Sequence, residues 1–163
     1  MTTGTGEPDR GTSVLRVLAA LQAAGHDDTI TSFPAGTRSA ADAAASVGCD
    51  VAQIAKTIVF KAGAQAALIV TSGAARVDMD KAAKALGTTL SRADAAFVRD
   101  QTGFAIGGVS PVAQTSPCLI VLDESLRAQD PIWAAAGSPN HVFQTTADWL
   151  ARLTGAQFAD VAA

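Results

Sequence analysis

The sequence predicts one α/β domain in which short strands alternate with short, capped helices. The strongest sign is a pair of apolar segments, Ile54–Phe60 and Ala66–Val70, on either side of the turn-like Lys61-Ala62-Gly63-Ala64-Gln65. That pattern reads as a hairpin of buried strands. Helix-start signals recur along the chain: boxes opening at Ser39, Ser91 and Thr145, and the acidic pair Asp78 and Asp80. Each precedes a short run that buries one side, as a capped helix does. Finally, 163 residues, 48% of them hydrophobic and only 17% charged, suffice for one sizeable core and are too apolar for a disordered chain. With no repeat and no linker, residues 13–163 read as a single domain behind a flexible tail, 1–12, that lacks an apolar signal core.

The elements follow in order. Ser13 caps a helix from Val14 to Ala24 with the stripe Val14, Leu15, Val17, Leu18 and Leu21, and Gly25 stops it. His26 then reads as a solvated turn residue. Thr29–Phe33 is a strand ended by Pro34, and Ser39 opens a helix that runs through Val47 to Gly48. Cys49 reads as a small filler. After the hairpin, Thr71-Ser72-Gly73 turns, Asp78 or Asp80 caps the helix Lys81–Leu86, and Gly87 closes it. Ser91 opens a helix through Asp100 with Ala96, Phe97 and Val98 inward. Cys118–Leu122 is an apolar strand. Asp130-Pro131 leads into Ile132–Ala136, Gly137–Asn140 turns, and His141 starts a strand. Thr145 opens the helix Ala147–Leu153, Gly155 ends it, and Phe158–Val161 is a last strand.

Lys56 is the anomaly. By strand alternation it shares a face with Ile54 and Ile58, and lysine is seldom buried unless paired or functional. It is either an edge lysine whose stem snorkels to water or a cation at the mouth of a pocket that takes an anion. A second unusual stretch, Thr102–Pro111, carries Gly103, Gly107, Gly108 and Pro111. It reads either as a connection or as a loop whose backbone approaches a ligand. Its spacing fits neither a P-loop nor a dinucleotide fingerprint. His141 lies at a turn–strand junction, where working side chains often project, although a turn-capping histidine fits as well. The two histidines and two cysteines are too scattered for a zinc site, so no metal and no cofactor are expected. There is no serine elbow, and Asp123 and Glu124 point apart if extended. Lys56, the glycine-rich turn and His141 together suit an anionic ligand with a reacting carbonyl.

A formal net charge of −3 excludes a broadly basic coat. It leaves room for a local patch of Lys56, Lys61, Arg76, Lys81 and Lys84, though Lys81 and Lys84 also suit a merely solvated face. Two cysteines make no disulfide framework, so a cytoplasmic location is the expectation. No apolar run approaches the ~18 residues of a membrane span, and no heptad demands more than a monomer or weak homodimer.

Lys56-Thr57, Gly107-Gly108-Val109-Ser110-Pro111, Asp123-Glu124-Ser125-Leu126 and Gly137-Ser138-Pro139-Asn140-His141, in this order and spacing, resemble the YbaK/EbsC family. That family comprises free-standing aminoacyl-tRNA deacylases and the editing domain inserted in bacterial prolyl-tRNA synthetase. Arg76–Lys81 also looks like the family's segment before its central helix. The resemblance runs from about Thr29 to Val161. It implies a mixed, mostly antiparallel, barrel-like sheet surrounded by short helices, and hydrolysis of the ester that joins a wrong amino acid to tRNA. Cys-tRNA(Pro) or Ala-tRNA(Pro) is the expected substrate. Water or a substrate group attacks, with no covalent side-chain nucleophile. The implied partners are the acceptor end of aminoacyl-tRNA and, optionally, prolyl-tRNA synthetase. The resemblance places Lys56, Gly107 and His141 at the reacting end. It puts Gly108, Val109, Ser110, Pro111, Asp123 and Ser138 around the substrate, and Lys61, Arg76, Lys81 and Lys84 toward the tRNA. Val112 and Ala113 stand where many relatives carry phenylalanine and glycine, which reshapes the amino-acid pocket. Two other readings stay open: an inactive nucleotide- or tRNA-binding regulatory protein on the same fold, and a hydrolase of another small ester.

Overall fold

A computed structural model describes residues 11–33 and 39–163. The elements are α1 (Gly11–Ala23), β1 (Ile30–Ser32), α2 (Ala40–Val47), β2 (Ile54–Ala62), β3 (Gln65–Ser72), α3 (Met79–Leu86), β4 (Ser91–Arg92), α4 (Ala95–Thr102), β5 (Leu119–Asp123), β6 (Ile132–Ser138), β7 (His141–Thr145), α5 (Ala147–Thr154) and β8 (Gln157–Ala159). One sheet runs β1-β7-β6-β2-β3-β5-β8, with β4 beside β2. The pairs β1–β7, β2–β3, β2–β4 and β6–β7 are antiparallel; β2–β6, β3–β5 and β5–β8 are parallel. This is the mixed, mostly antiparallel sheet expected.

The central hairpin is longer than its apolar runs suggest. Pairing extends to Ala62↔Gln65, so only Gly63 and Ala64 remain in the turn, a two-residue link suited to twisted strands. β3 is buried on both faces. Ala66, Leu68 and Val70 join the main core with Val14, Val17, Leu21, Leu122 and Phe143. Ala67 and Ile69 join a second core with Ala82, Leu90 and Val121, under α3. That two-sided burial explains its unbroken apolar run.

Helix caps follow side-chain chemistry, with corrections. Ser39 Oγ accepts from Asp42 N–H, and Asp78 accepts from Asp80 and Lys81 N–H. The cap of α4 is Asp94, not Ser91, because Ser91 pairs with Lys61 in β4. The cap of α5 is Thr146, not Thr145, because Thr145 ends β7. α4 buries Val98 and Thr102 while Ala96 stays exposed. The β5 strand starts at Leu119, leaving Cys118 half-buried outside it. The terminal strand is Gln157–Ala159. The tail expected over 1–12 lies outside the described residues except for Gly11 and Thr12, which open α1. Pro34, expected to end the first strand, lies outside them as well.

His26 is not a solvated turn residue. It is 6% exposed, and its Nε2 lies 3.0 Å from Thr145 Oγ1. Its ring stands edge-on to Trp149 at 4.8 Å and to Phe143 at 6.0 Å. The turn after α1 folds it back, with His26 N–H donating to Leu21 C=O, into the seam between β7 and α5.

Candidate functional site

β2 is paired with β3 along its whole length, but on its other edge it has two short partners. β6 meets it at Ile54 and Ala55, and β4 meets it at Phe60 and Lys61. Between them no described residue pairs with the edge. Gly73 N–H donates to Ile54 C=O, so Ile54, Lys56 and Ile58 turn their backbone groups toward β3. By ladder alternation, Thr57 and Val59 turn theirs the other way, into the gap.

A cleft of about 460 Å³ occupies that gap. Lys56, Thr57, Ile58 and Val59 form one wall; Ile106, Gly107 and Val109 form another; Ser138, Pro139 and His141 form a third. Ile54, Trp133, Ala135 and Ala43 supply apolar floor. Because the cleft lies at a strand edge, side chains from both faces of β2 reach it. For that reason Thr57, which alternation places opposite Lys56, belongs to the wall. Its Oγ1 is buried with no hydrogen-bond partner among the described residues.

Burial lowers the pKa of the Lys56 ammonium from its usual 10.5, and the nearby positive charge of Arg76 lowers it further. Among the described residues no carboxylate is paired with it. A cation in apolar walls with another cation beside it leaves a site whose natural complement is an anion.

His141 is 5% exposed, with its Nδ1 2.6 Å from Ser138 Oγ. Ser138 Oγ also accepts from Asn140 N–H at 3.0 Å, so the tight turn holds the hydroxyl that orients the imidazole. The glycine loop docks on this same turn. A Cβ on Gly108 would lie 2.8 Å from Ser138 Cα and carbonyl carbon, which no side chain tolerates. Its neighbour Gly107 has φ +93 and sits exposed at the rim.

The fold therefore brings Lys56, Gly107, Val109, Ser138 and His141 together. It does not bring the rest. Gly108, Ser110 and Pro111 are buried beneath the loop rather than in the wall, and Ser110 Oγ accepts from Val112 N–H. The expectation that Pro111 lines the cleft is thus corrected: the loop's apolar side packs down and its tip faces the cleft. Asp123 lies in a different hollow, with Lys81, Glu124, Arg127 and Asp160. Its carboxylate is committed to Ser125 N–H, Ser125 Oγ–H and Val161 N–H, tying β5 to the end of the chain.

The four basic candidates separate as well. Arg76 is close enough to act on Lys56, and Lys61, one residue before the end of β2, has its ammonium 5.1 Å from the centre of the Phe97 ring. Lys81 is paired with Asp160 at 3.0 Å, and Lys84 is exposed on α3. Thr57, Ile106 and Trp133 were missed as site residues. Thr57 had a signal in its place next to Lys56, and Ile106 in its place next to Gly107 in the glycine-rich stretch; Trp133 had none, because only the fold brings it near.

A family model described as the aminoacyl-tRNA editing domain matches residues 34–153. The chain belongs to that family of YbaK/EbsC-like editing domains. It is 31% identical over 121 residues to the uncharacterized protein YwhH of Bacillus subtilis (strain 168), covering 74% of this chain and 77% of that one. A crystal structure described as a candidate trans-editing enzyme for prolyl tRNA synthetase superposes with TM-score 0.87 at 42% identity, covering 94% of this chain and 98% of that one. The hypothetical protein APE2540 superposes with TM-score 0.84 at 28% identity, covering 91% of this chain and 99% of that one.

Proposed function

We propose that the protein is a trans-acting deacylase of mischarged tRNA, with Cys-tRNA(Pro) or Ala-tRNA(Pro) as substrate. The observation that carries this reading is the convergence of Lys56, Gly107 and His141, remote in sequence, on one cleft. In the proposed reaction Lys56 holds a phosphate of the acceptor end as a point charge. The ester carbonyl enters the gap beside β2, where Thr57 and Val59 N–H can meet the developing oxyanion; Gly108 N–H is already given to Ala105 C=O. Water attacks the carbonyl carbon, the bond to the ribose oxygen breaks, and that oxygen takes a proton as the free amino acid leaves. His141, oriented by Ser138, holds the water or the ribose hydroxyl. Donors fixed around an oxyanion are the largest single contribution in such reactions. The confined apolar floor of Ala43, Ile54, Trp133 and Ala135 favours a small, weakly polar side chain. The likeness to the candidate trans-editing enzyme for prolyl tRNA synthetase, and membership in the editing family, support prolyl-tRNA and its synthetase as partners. The acceptor end would be met in the cytoplasm by a monomer or weak homodimer.

The test is single-turnover hydrolysis of a panel of misacylated tRNAs beside small aminoacyl esters. Hydrolysis of Cys- or Ala-tRNA(Pro) above the rest is expected. Cleavage of the small esters alone would replace the substrate, and binding of every aminoacyl-tRNA with hydrolysis of none would make this a binding protein.

A further inference from the structure

The two walls of the cleft that face β2 come from segments with no strand pairing between them: the loop 103–113 and the turn of β6–β7. Both are held by α1, which lies outside the residues matched by the family model.

Arg16 holds the loop. Its Nε–H donates to Ala113 C=O at 2.9 Å, and its other guanidinium arm donates to Gly103 C=O at 3.2 Å. One planar fork thus bridges the two ends of the loop, and its carbon lies 4.6 Å from the centre of the Phe104 ring within it. The grip falls on unusual backbone: Ala113 has φ +67, a left-handed conformation that a side chain disfavours. A segment pinned at its base behaves as an Ω-loop, with its tip, Ile106 and Gly107, presented as a unit.

The same helix holds the turn. Gly137 has φ +100, and a Cβ there would lie 2.9 Å from Ser13 carbonyl carbon and oxygen. The backbone of α1 therefore seats directly on the residue before Ser138. One helix, through Arg16 and Ser13, thus holds both segments from behind and supports the direct Gly108–Ser138 contact that sets Gly107 against the Ser138–His141 pair.

We infer that Arg16 is a positioning residue for the cleft: its guanidinium clasps the base of the 103–113 loop and, with the Ser13–Gly137 contact, keeps Gly107 in register with His141. The consequence for activity rests on the deacylase reading above; the clasp itself does not. Lysine at this position keeps the charge but sends its donors from one tetrahedral nitrogen on a different stem, so it does not reproduce the planar two-nitrogen fork that meets the two carbonyls.

The experiment pairs amide hydrogen exchange with kinetics on Arg16→Met and Arg16→Lys in the full chain. Protection of the loop amides, including Gly108 and Val112, is expected to fall at least tenfold in both variants, while β3 amides stay protected. Turnover is expected to fall about 10–100-fold, the cost of misplacing reacting groups by an ångström or less, with KM for aminoacyl-tRNA little changed. Loop protection equal to wild type in a variant that melts cooperatively would overturn the clasp. Lost protection with wild-type turnover would overturn the positioning role. If wild type hydrolyses no aminoacyl-tRNA, the deacylase reading fails while the exchange result still decides the clasp. Should both variants fail to fold, the wild-type Arg16 Nε–H signal decides. A slowly exchanging, resolved proton supports the clasp, and a solvent-averaged one refutes it.

Discussion

Lys56 and Lys81 are both lysines beside a hollow, and the fold treats them in opposite ways. Lys81 is exposed, with its ammonium 3.0 Å from Asp160 and 2.9 Å from Ala162 C=O. Asp160 raises its pKa, by its hydrogen bond first and by its charge as well, and the charges of Asp78 and Asp123 add to the rise. Lys56 sits between isoleucines on a strand edge, unpaired among the described residues, with its pKa lowered by burial and by Arg76. The Lys81 charge is consumed inside the molecule, where it fastens α3 to the end of the chain. The Lys56 charge is left over. A protein that keeps a partly desolvated cation without a counter-ion holds it at some cost in stability, and an incoming anion recovers that cost.

The widest separation between the two should appear in activity. Lys56→Ala is expected to slow single-turnover deacylation by about 10²–10³, the effect of removing one electrostatic contact made in the transition state. Its melting temperature should equal or exceed that of wild type, because an unpaired, half-buried charge has gone. Lys56→Arg should restore only part of the rate, since the guanidinium is larger and directs its donors differently. A Lys56→Ala variant that melts normally and turns over at the wild-type rate would make Lys56 an ordinary edge lysine.

The pH dependence sharpens the same contrast. Because the folded pKa of Lys56 lies below 10.5, tRNA affinity should weaken as pH rises through that lowered value. It should do so earlier than an ordinary lysine would allow, and Lys56→Arg should show no such step. Between the folded pKa and 10.5 the unfolded chain binds more protons, so this group makes stability rise with pH there. Urea unfolding of wild type against Lys56→Met across the alkaline range should show the rise in wild type and lose it in the variant.

The Ser138–His141 pair should matter less. Ser138→Ala removes one hydrogen bond that orients the imidazole, worth about 0.5–1.5 kcal/mol, so a loss of roughly two- to tenfold is expected. If Ser138 were instead a nucleophile, the variant would be dead and wild type would show a burst of deacylated tRNA, with the amino acid held as a serine ester until water releases it. Quenched-flow measurement separates the two.

What was legible in the chain follows the reach of each interaction. Lys56 stood out because it broke a local period of two, and His141 because a turn ended beside it. The hairpin, the helix starts at Ser39 and Asp78, and the glycine-rich loop were written in neighbouring residues. Arg16 was not legible: its carbonyl partners lie far along the chain, 87 and 97 residues on. Asp123 was misread for the same reason. It was assigned to the substrate through its resemblance motif, while the Val161 N–H that claims it is 38 residues away. His26 looked like a turn residue until β7 and α5 were folded over it. Ser91 satisfied a capping pattern, and only strand pairing with Lys61 took it away.

The smallest effect expected is that of Lys81→Met, and it tests whether the two lysines differ as argued. Its folded pKa is raised, so the stability it contributes is present below 10.5 and is lost as pH rises through the folded value. Lys81→Met should therefore unfold slightly more easily than wild type at neutral pH, and the two should converge in strong alkali. Added salt should narrow the gap only in part. The exposed ion pair with Asp160 is screened, whereas the hydrogen bond to Ala162 C=O does not depend on a second charge. Deacylation should be unchanged at low salt, because the ammonium faces Asp160 and not the cleft between β2 and the glycine loop. Urea midpoints in pH and salt series, beside single-turnover rates, check each part. A Lys81→Met variant that loses turnover while keeping its midpoint would place tRNA on the α3 face and remove the distinction drawn between the two charges.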